Sequence, residues 1–208
     1  MSESVAGNSA NPKAAPKTTW RVVDIVVAAV LSVAVGVIFW LWSAAYGVIA
    51  AATAAFPPLG GLYGGGWLIA GVIGGLVIRK PGAALFCEIV AAIVEALLGS
   101  SFGFTVLLSG LVQGIGAELI FAVVRYRRFS LPVALLAGAL SGVAMGINDS
   151  LVWNVEWAFV WKLVYTVFGA ISGAVIAGLL SWLAVRGLAR TGVLANLTSR
   201  GAATEPVV

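Results

Sequence analysis

Long apolar runs dominate this sequence and restrict it to very few folds. At about 1.5 Å per helical residue, each run is long enough to cross most or all of a hydrocarbon layer about 30 Å thick. Because 61% of the residues are hydrophobic and only 10% are charged, a water-soluble domain could not cover its surface. The sequence therefore predicts an all-α membrane protein, a bundle of about six transmembrane helices over residues 22–46, 60–78, 82–98, 104–124, 131–152 and 158–185.

Basic residues mark every second connection between these runs. By the positive-inside rule, this alternation places both termini in the cytoplasm. We expect one membrane domain over residues 20–194, a flexible cytoplasmic tail over 1–19 and a flexible C-terminal tail over 195–208. Membrane orientation explains the basic residues, and no binding of nucleic acid is expected from them: Lys13, Lys17, Arg21, Arg79, Lys80, Arg125, Arg127, Arg128, Arg186, Arg190 and Arg200.

Missing residue types exclude several classes of function. The chain has no histidine and a single cysteine, Cys87, which lies inside the third run. Imidazole metal sites, histidine-based catalysis and clusters of thiolate ligands are therefore excluded. No nucleophile with an adjacent base is visible either. We expect a protein that is not an enzyme and that needs no metal ion or cofactor.

Two carboxylates in the third run indicate a site inside the membrane. Glu88 and Glu95 are seven residues apart, which places them on one face of a helix. A carboxylate that faces lipid near the bilayer centre costs a few kcal/mol, so such residues usually face a bundle interior or a ligand. We expect Glu95 near the outer mouth of a pocket and Glu88 at its floor. Gln113, Asn148 and Asp149 are further predicted binding residues, since they approach the same level of the membrane.

Aromatic residues cluster at the expected outer ends of the helices. Trp and Tyr favour the membrane interface whatever the function, so an interfacial belt accounts for some of them. Their rings also attract cations by roughly 0.5–2 kcal/mol each, and carboxylates beside them would add charge and directed acceptors. A flat cationic or amine ligand would suit both groups. We therefore predict that the pocket is also lined by Trp42, Tyr63, Trp67, Trp153 and Trp161.

Two further polar residues are weaker candidates for the same pocket. Tyr165 lies at the level of the aromatic residues in the last run. Glu118 lies in the expected inner half of the fourth run, where a salt bridge to Arg79, Arg125 or Arg127 would explain it equally well. An internal hydrogen-bond role is a further alternative for Glu118.

A stripe of small residues crosses the first run. Ala28, Ser32 and Gly36 recur at a spacing of four and would lie on one helix face. Small residues let helix backbones approach closely. The stripe therefore fits another helix, which belongs either to a partner protein or to this bundle.

Several motifs together resemble a known family. They cover roughly residues 20–194 and are most distinctive where both glutamates follow an Arg-Lys-Pro-Gly loop at fixed spacing. This pattern resembles the YkoE-like substrate-binding (S) components of energy-coupling-factor (ECF) transporters. The matching positions are Ile78 to Ala84, Glu88, Ala91, Ala92, Val94, Glu95, Leu97 to Gly99, Gln113, Gly114 and Glu118.

The resemblance implies a function and a set of partners. A family member captures thiamin or its hydroxymethylpyrimidine (HMP) moiety with high affinity from outside a bacterial cell membrane. It does not transport alone, but associates with a transmembrane coupling subunit and two ATP-binding subunits. On this basis the stripe of Ala28, Ser32 and Gly36 is a candidate coupling surface, and the link before Pro57 is a candidate lid.

Two other classes of function stay open at this point. A self-sufficient proton- or cation-coupled transporter would use Glu88, Glu95 and Glu118 to carry protons. A structural subunit without a small ligand would use its acidic residues to pair with basic groups of a partner.

Overall fold

The computed structural model describes residues 18–208, so the tail expected at 1–19 lies almost wholly outside the described residues. Seven α-helices follow one another, and no strand occurs within the described range. Short 3-10 segments precede α2 and α4, and a π-helical segment, Gly173–Leu179, joins α6 to α7 without a break. The helices are α1 (Val22–Ala52), α2 (Ile69–Ile78), α3 (Ala83–Leu97), α4 (Val106–Val123), α5 (Leu131–Val152), α6 (Phe159–Ser172) and α7 (Leu180–Arg190).

The predicted all-α membrane bundle is confirmed. Within residues 18–208, five helical stretches are long and apolar enough to cross a membrane, and α3 is a sixth, shorter apolar helix. The first helix runs six residues past its expected end, because the alanine-rich segment after Tyr46 favours helix as far as Ala52. The last helical stretch continues to Arg190, where the expected end was residue 185.

The second span is a broken helix at the centre of the bundle. It begins with two 3-10 segments, Pro57–Leu62 and Gly64–Leu68, and becomes an α-helix only at Ile69. Ser172 of α6 stabilises the 3-10 part, since its hydroxyl donates to the carbonyl of Leu62 and accepts from the N–H of Gly65. A Cβ on Gly65 would lie 2.5 Å from the carbonyl oxygen of Ser172. Only glycine permits this close approach.

The stripe of small residues on α1 packs inside the protein. Ala28 and Ser32 are fully buried. A Cβ on Gly36 would lie 2.6 Å from Cβ of Val94 and 2.7 Å from the carbonyl oxygen of Ala91, both on α3. The expectation that this stripe is an exposed coupling surface is therefore wrong for the described structure. The small side chains let α1 approach α3 closely. The stripe therefore packs against a helix of this bundle, which is one of the two alternatives given by the sequence.

The C-terminal segment, residues 195–208, where a flexible tail is expected, contacts the ends of several helices. Glu205 forms a bidentate ion pair with Arg79, at 2.5 and 2.8 Å. Arg186 donates to the carbonyl oxygens of Ala203 and Glu205, and the N–H that opens α5 donates to Val207. Three residues of the segment are also buried, namely Leu197, Ser199 and Ala202.

The same end of the bundle holds a buried cluster of charges, and we call it the basic end. Asp24 is fully buried and accepts two hydrogen bonds from the guanidinium of Arg21. The ammonium of Lys80 lies 2.8 Å from the same carboxylate. The indole N–H of Trp20 donates to the carbonyl of Pro81. These contacts fix the start of α1 against the loop that leads into α3.

Candidate functional site

A cavity of about 180 Å³ lies at the opposite end of the bundle. This volume is far larger than the 10–15 Å³ or so that a single water needs. The cavity lies between α1, the second span, α3, α4, α5 and α6. Its lining consists of Phe39, Tyr46, Trp67, Glu88, Ala92, Glu95, Phe102, Thr105, Val106, Ser109, Gly110, Gln113, Met145, Asp149, Trp153, Asn154 and Tyr165.

Glu88 lies in the inner part of the cavity with one carboxylate oxygen free. Its side chain is 0% exposed. Oε2 accepts the backbone N–H of Gly71 at 2.5 Å, in the first turn of α2. Oε1 accepts no hydrogen bond from the described part of the chain. A buried carboxylate oxygen without a partner is costly, so the geometry favours a polar group of a ligand or water at this oxygen.

Glu95 lies two helical turns further along α3, close to the link that joins α3 to α4. It is 2% exposed. Its Oε1 accepts the hydroxyl of Ser43 at 2.5 Å and the hydroxyl of Ser100, in that link, at 2.8 Å. The indole N–H of Trp67 donates to Ser43 at 2.9 Å. Glu95 is thus held by hydrogen bonds at the mouth side of the cavity.

A third carboxylate faces the cavity from α5. Asp149 accepts the phenol of Tyr165 at 2.8 Å and the amide of Asn148 at 3.1 Å. The same amide of Asn148 donates to Ser109 on α4. Asn148 itself does not line the cavity, so its place is behind Asp149. Gln113 lines the wall formed by α4, as expected from its position in the sequence.

The aromatic residues divide into three groups. Tyr46, Trp67, Phe102 and Trp153 line the cavity and form one cluster of edge-to-face and tilted pairs with ring centroids 5.3 to 5.8 Å apart. We call this end of the bundle the aromatic end.

The second group lies behind the cluster. Trp42 stacks on Tyr63 at 4.3 Å and donates its indole N–H to the Tyr63 carbonyl. Neither ring reaches the cavity. The third group lies outside the cavity, where Trp161 packs on Phe56 and Trp157. The predictions for Trp42, Tyr63 and Trp161 therefore require correction, because packing against other aromatic rings satisfies these side chains.

Glu118 has an internal hydrogen-bonding role, one of the alternatives that the sequence leaves open. It lies at the basic end, outside the cavity, and forms no salt bridge to arginine within the described residues. Its carboxylate accepts the backbone N–H groups of Gly82, Ala84 and Leu85, together with the phenol of Tyr126. Gly82 has a φ of 82°, which few other residues adopt readily. Glu118 thus caps the first turn of α3, the helix that carries Glu88 and Glu95.

Several lining residues are not among those predicted from the sequence. Phe39, Ser43 and Tyr46 follow one another at helical spacing, so this face of α1 could have been recognised as one unit. Phe39 and Tyr46 line the cavity, and Ser43 contacts Glu95 directly behind it. Phe102 lies in an irregular link between Gly99 and Gly103, both with positive φ, and no sequence pattern places it at the cavity.

Comparison with known proteins gives concordant results. Residues 23–144 match a family described as the permease component of an ABC-type cobalt transport system. A relative from Bacillus subtilis (strain 168), named for an HMP/thiamine permease protein, YkoE, is 41% identical over 179 residues, which are 85% of this chain and 88% of the relative.

A crystal structure of an S-component of an ECF transporter superposes with a TM-score of 0.80 at 41% identity, over 86% of this chain and 91% of the other. The family match spans more than half of the chain, and each of the other two comparisons covers at least 85% of it. The chain therefore belongs to this permease family and, within it, to the YkoE-like S components of ECF transporters.

Proposed function

We propose that this chain is the membrane-embedded, high-affinity binding subunit that captures thiamin or HMP from outside and delivers it through an ATP-driven ECF complex. The name of its Bacillus subtilis relative supports this class of ligand. The chemistry of the cavity at the aromatic end supports it independently.

The observation that carries the proposal is the pairing of three carboxylates with a cluster of aromatic rings. Glu88, Glu95 and Asp149 all line the cavity, and no Lys or Arg among the described residues does. Carboxylates accept hydrogen bonds from an aminopyrimidine, the ring that HMP and thiamin share. Aromatic faces attract a flat cation such as the thiazolium of thiamin. The chemistry of the lining therefore supports a ligand that carries both groups, as thiamin does.

The donor set favours an organic ligand over a metal ion. The matched family is described by cobalt transport. Within residues 18–208, however, no three His, Cys, Asp or Glu side chains are close enough to hold a metal ion together. Neutral imidazole and thiolate, the usual ligands of divalent transition metals, are not supplied by this cavity.

Calorimetric titration of the purified chain with thiamin and with HMP tests the proposal. Replacing Glu88 or Glu95 with Gln exchanges one carboxyl oxygen for an NH₂ group, and a buried hydrogen-bonding group left without its partner costs about 1–3 kcal/mol. We therefore expect affinity to fall about 10-fold to 100-fold in each variant. Glu156→Gln is the matched control, because Glu156 is exposed in the loop between α5 and α6. Unchanged affinity in both cavity variants would contradict the proposed site.

Reconstitution tests the coupling to ATP. Liposomes that contain this chain with its coupling subunit and two ATP-binding subunits should accumulate thiamin or HMP only when ATP is present. Liposomes with this chain alone should show binding without accumulation. Uptake by the isolated chain under an imposed proton gradient would favour the secondary transporter and contradict the ATP-driven mechanism.

A further inference from the structure

Ser43 holds two walls of the cavity in place without lining the cavity itself. Its hydroxyl donates to Glu95 Oε1 at 2.5 Å and accepts the indole N–H of Trp67 at 2.9 Å. Ser43 is only 3% exposed. One hydroxyl of α1 therefore links α3, which carries a carboxylate, to the second span, which carries an indole ring.

The two hydrogen bonds that Glu95 accepts fix which of its oxygens a ligand can meet. Within residues 18–208, Ser43 and Ser100 both donate to Oε1. Oε2 receives no hydrogen bond from these residues and is left for a ligand in the cavity. Without Ser43, the carboxylate would keep a single anchor in the link between α3 and α4, and it could rotate away from this orientation.

The second hydrogen bond fixes the plane of an aromatic ring. The indole of Trp67 lines the cavity, and its N–H points away from the cavity towards Ser43. Trp67 meets Tyr46 and Phe102 edge to face, at 5.8 Å in both pairs. An indole N–H that lost its partner in this buried site would turn towards another acceptor. The face that Trp67 presents to a ligand would then change.

We infer that Ser43 is a positioning residue for ligand binding: it orients Glu95 Oε2 and the Trp67 ring together, although it does not touch the ligand. This inference rests on the proposed function. It assigns to α1 a polar role in the site, in addition to the apolar lining by Phe39 and Tyr46.

A double-mutant cycle with calorimetric Kd values for thiamin and HMP tests the inference. Ser43→Ala should weaken binding about tenfold, because the ligand would lose its hydrogen bond to a misoriented Glu95. Ser43→Thr retains the hydroxyl and should recover most of the affinity. Ser32→Ala is the matched control, since Ser32 is a buried serine of the same helix whose hydroxyl donates to the carbonyl of Ala28 and which does not line the cavity.

The effect of Ser43→Ala on Kd, measured with and without Glu95→Gln, distinguishes a positioning role from simple packing. If Ser43 acts through Glu95, Ser43→Ala should lower affinity less than about threefold in the Glu95→Gln background. Equal losses in both backgrounds would overturn the inference, and so would an Ser43→Ala variant with unchanged affinity. These outcomes leave the proposed function intact. Absence of ligand binding by the unmodified chain would overturn the proposed function and, with it, this role of Ser43.

Discussion

Replacing Glu118 with Gln should destabilise the whole protein, because this side chain joins three segments at the basic end. Oε1 accepts from the N–H of Gly82 at 2.7 Å and from the phenol of Tyr126 at 2.7 Å. Oε2 accepts from the N–H groups of Ala84 and Leu85 at 2.9 and 3.2 Å. Glutamine has a single acceptor oxygen. Whichever way its amide turns, two donors would face its NH₂ group.

The expected size of the effect follows from these contacts. Hydrogen bonds to a charged acceptor contribute about 1.5 kcal/mol or more each, so losing two should cost about 3 kcal/mol of unfolding free energy. The lost negative charge at the N-terminus of α3 adds up to about 1 kcal/mol. For a chain of this size, a loss of about 3 kcal/mol corresponds to a fall in Tm of about 6–12 °C.

The single cysteine supplies the assay. Cys87 is fully buried in α3, the helix that Glu118 caps. A maleimide that becomes fluorescent on reaction with a thiol will therefore report the opening of this helix during heating in detergent. Glu156→Gln is the control, since it makes the same chemical change at an exposed carboxylate and should leave Tm unchanged.

A variant of Tyr126, which donates one of the four hydrogen bonds to Glu118, tests the same capping role. Burial and the neighbouring Glu118 carboxylate raise the pKa of Tyr126, so its phenol stays protonated and donates at neutral pH. Tyr126→Phe removes only this hydrogen bond and should lower Tm about half as far as Glu118→Gln. A Glu118→Gln variant that melts within roughly 2 °C of the unmodified protein would refute the assigned capping role.

Two further predictions concern packing and the C-terminal segment. Gly36→Ala should lower Tm by several degrees, because its Cβ would clash with α3 and overpacking costs about 1–3 kcal/mol; Gly47→Ala, in the same helix with nothing within 4 Å, should leave Tm unchanged or raise it. Glu205→Gln should lower Tm by a few degrees because it weakens the bidentate pair with Arg79, whereas an unchanged Tm would show that this pair adds nothing to stability.

The fold could be predicted from the sequence because hydropathy acts over whole segments. Each apolar run is long, and its boundaries are set by charges, glycines and prolines. The break in the second span was the exception. Pro57 and Pro58 open the first 3-10 segment of the span, but the 3-10 geometry that follows depends on contacts of Gly65 with Ser172, more than a hundred residues away.

The site could be predicted only in part, because sequence position gives depth more readily than rotation about a helix axis. Placing a carboxylate inside the membrane costs free energy, and this cost alone predicts that Glu88 and Glu95 face a site in the bundle. The structure places both at the cavity. Tryptophan favours the interface for several reasons. Hence Trp67 and Trp42 looked equivalent in the sequence, yet only Trp67 faces the cavity.

The contacts of the C-terminal segment are also difficult to predict from the sequence. Its attachment depends on single long-range polar contacts, above all the pair between Glu205 and Arg79. Such contacts have no periodicity along the chain. A short polar terminus therefore looks flexible in the sequence whether or not an arginine elsewhere binds it.

The short length of α3 has a consequence for the surrounding lipid. With 15 residues, α3 is about 22 Å long, well below the hydrocarbon thickness of about 30 Å. Leu97 at its end is exposed on the bundle surface, and we expect the lipid beside it to adapt to this mismatch by thinning locally. We expect the protein to be more stable in bilayers of short-chain lipids than in those of long-chain lipids. The composition of the host membrane would then tune the stability of the helix that carries both glutamates.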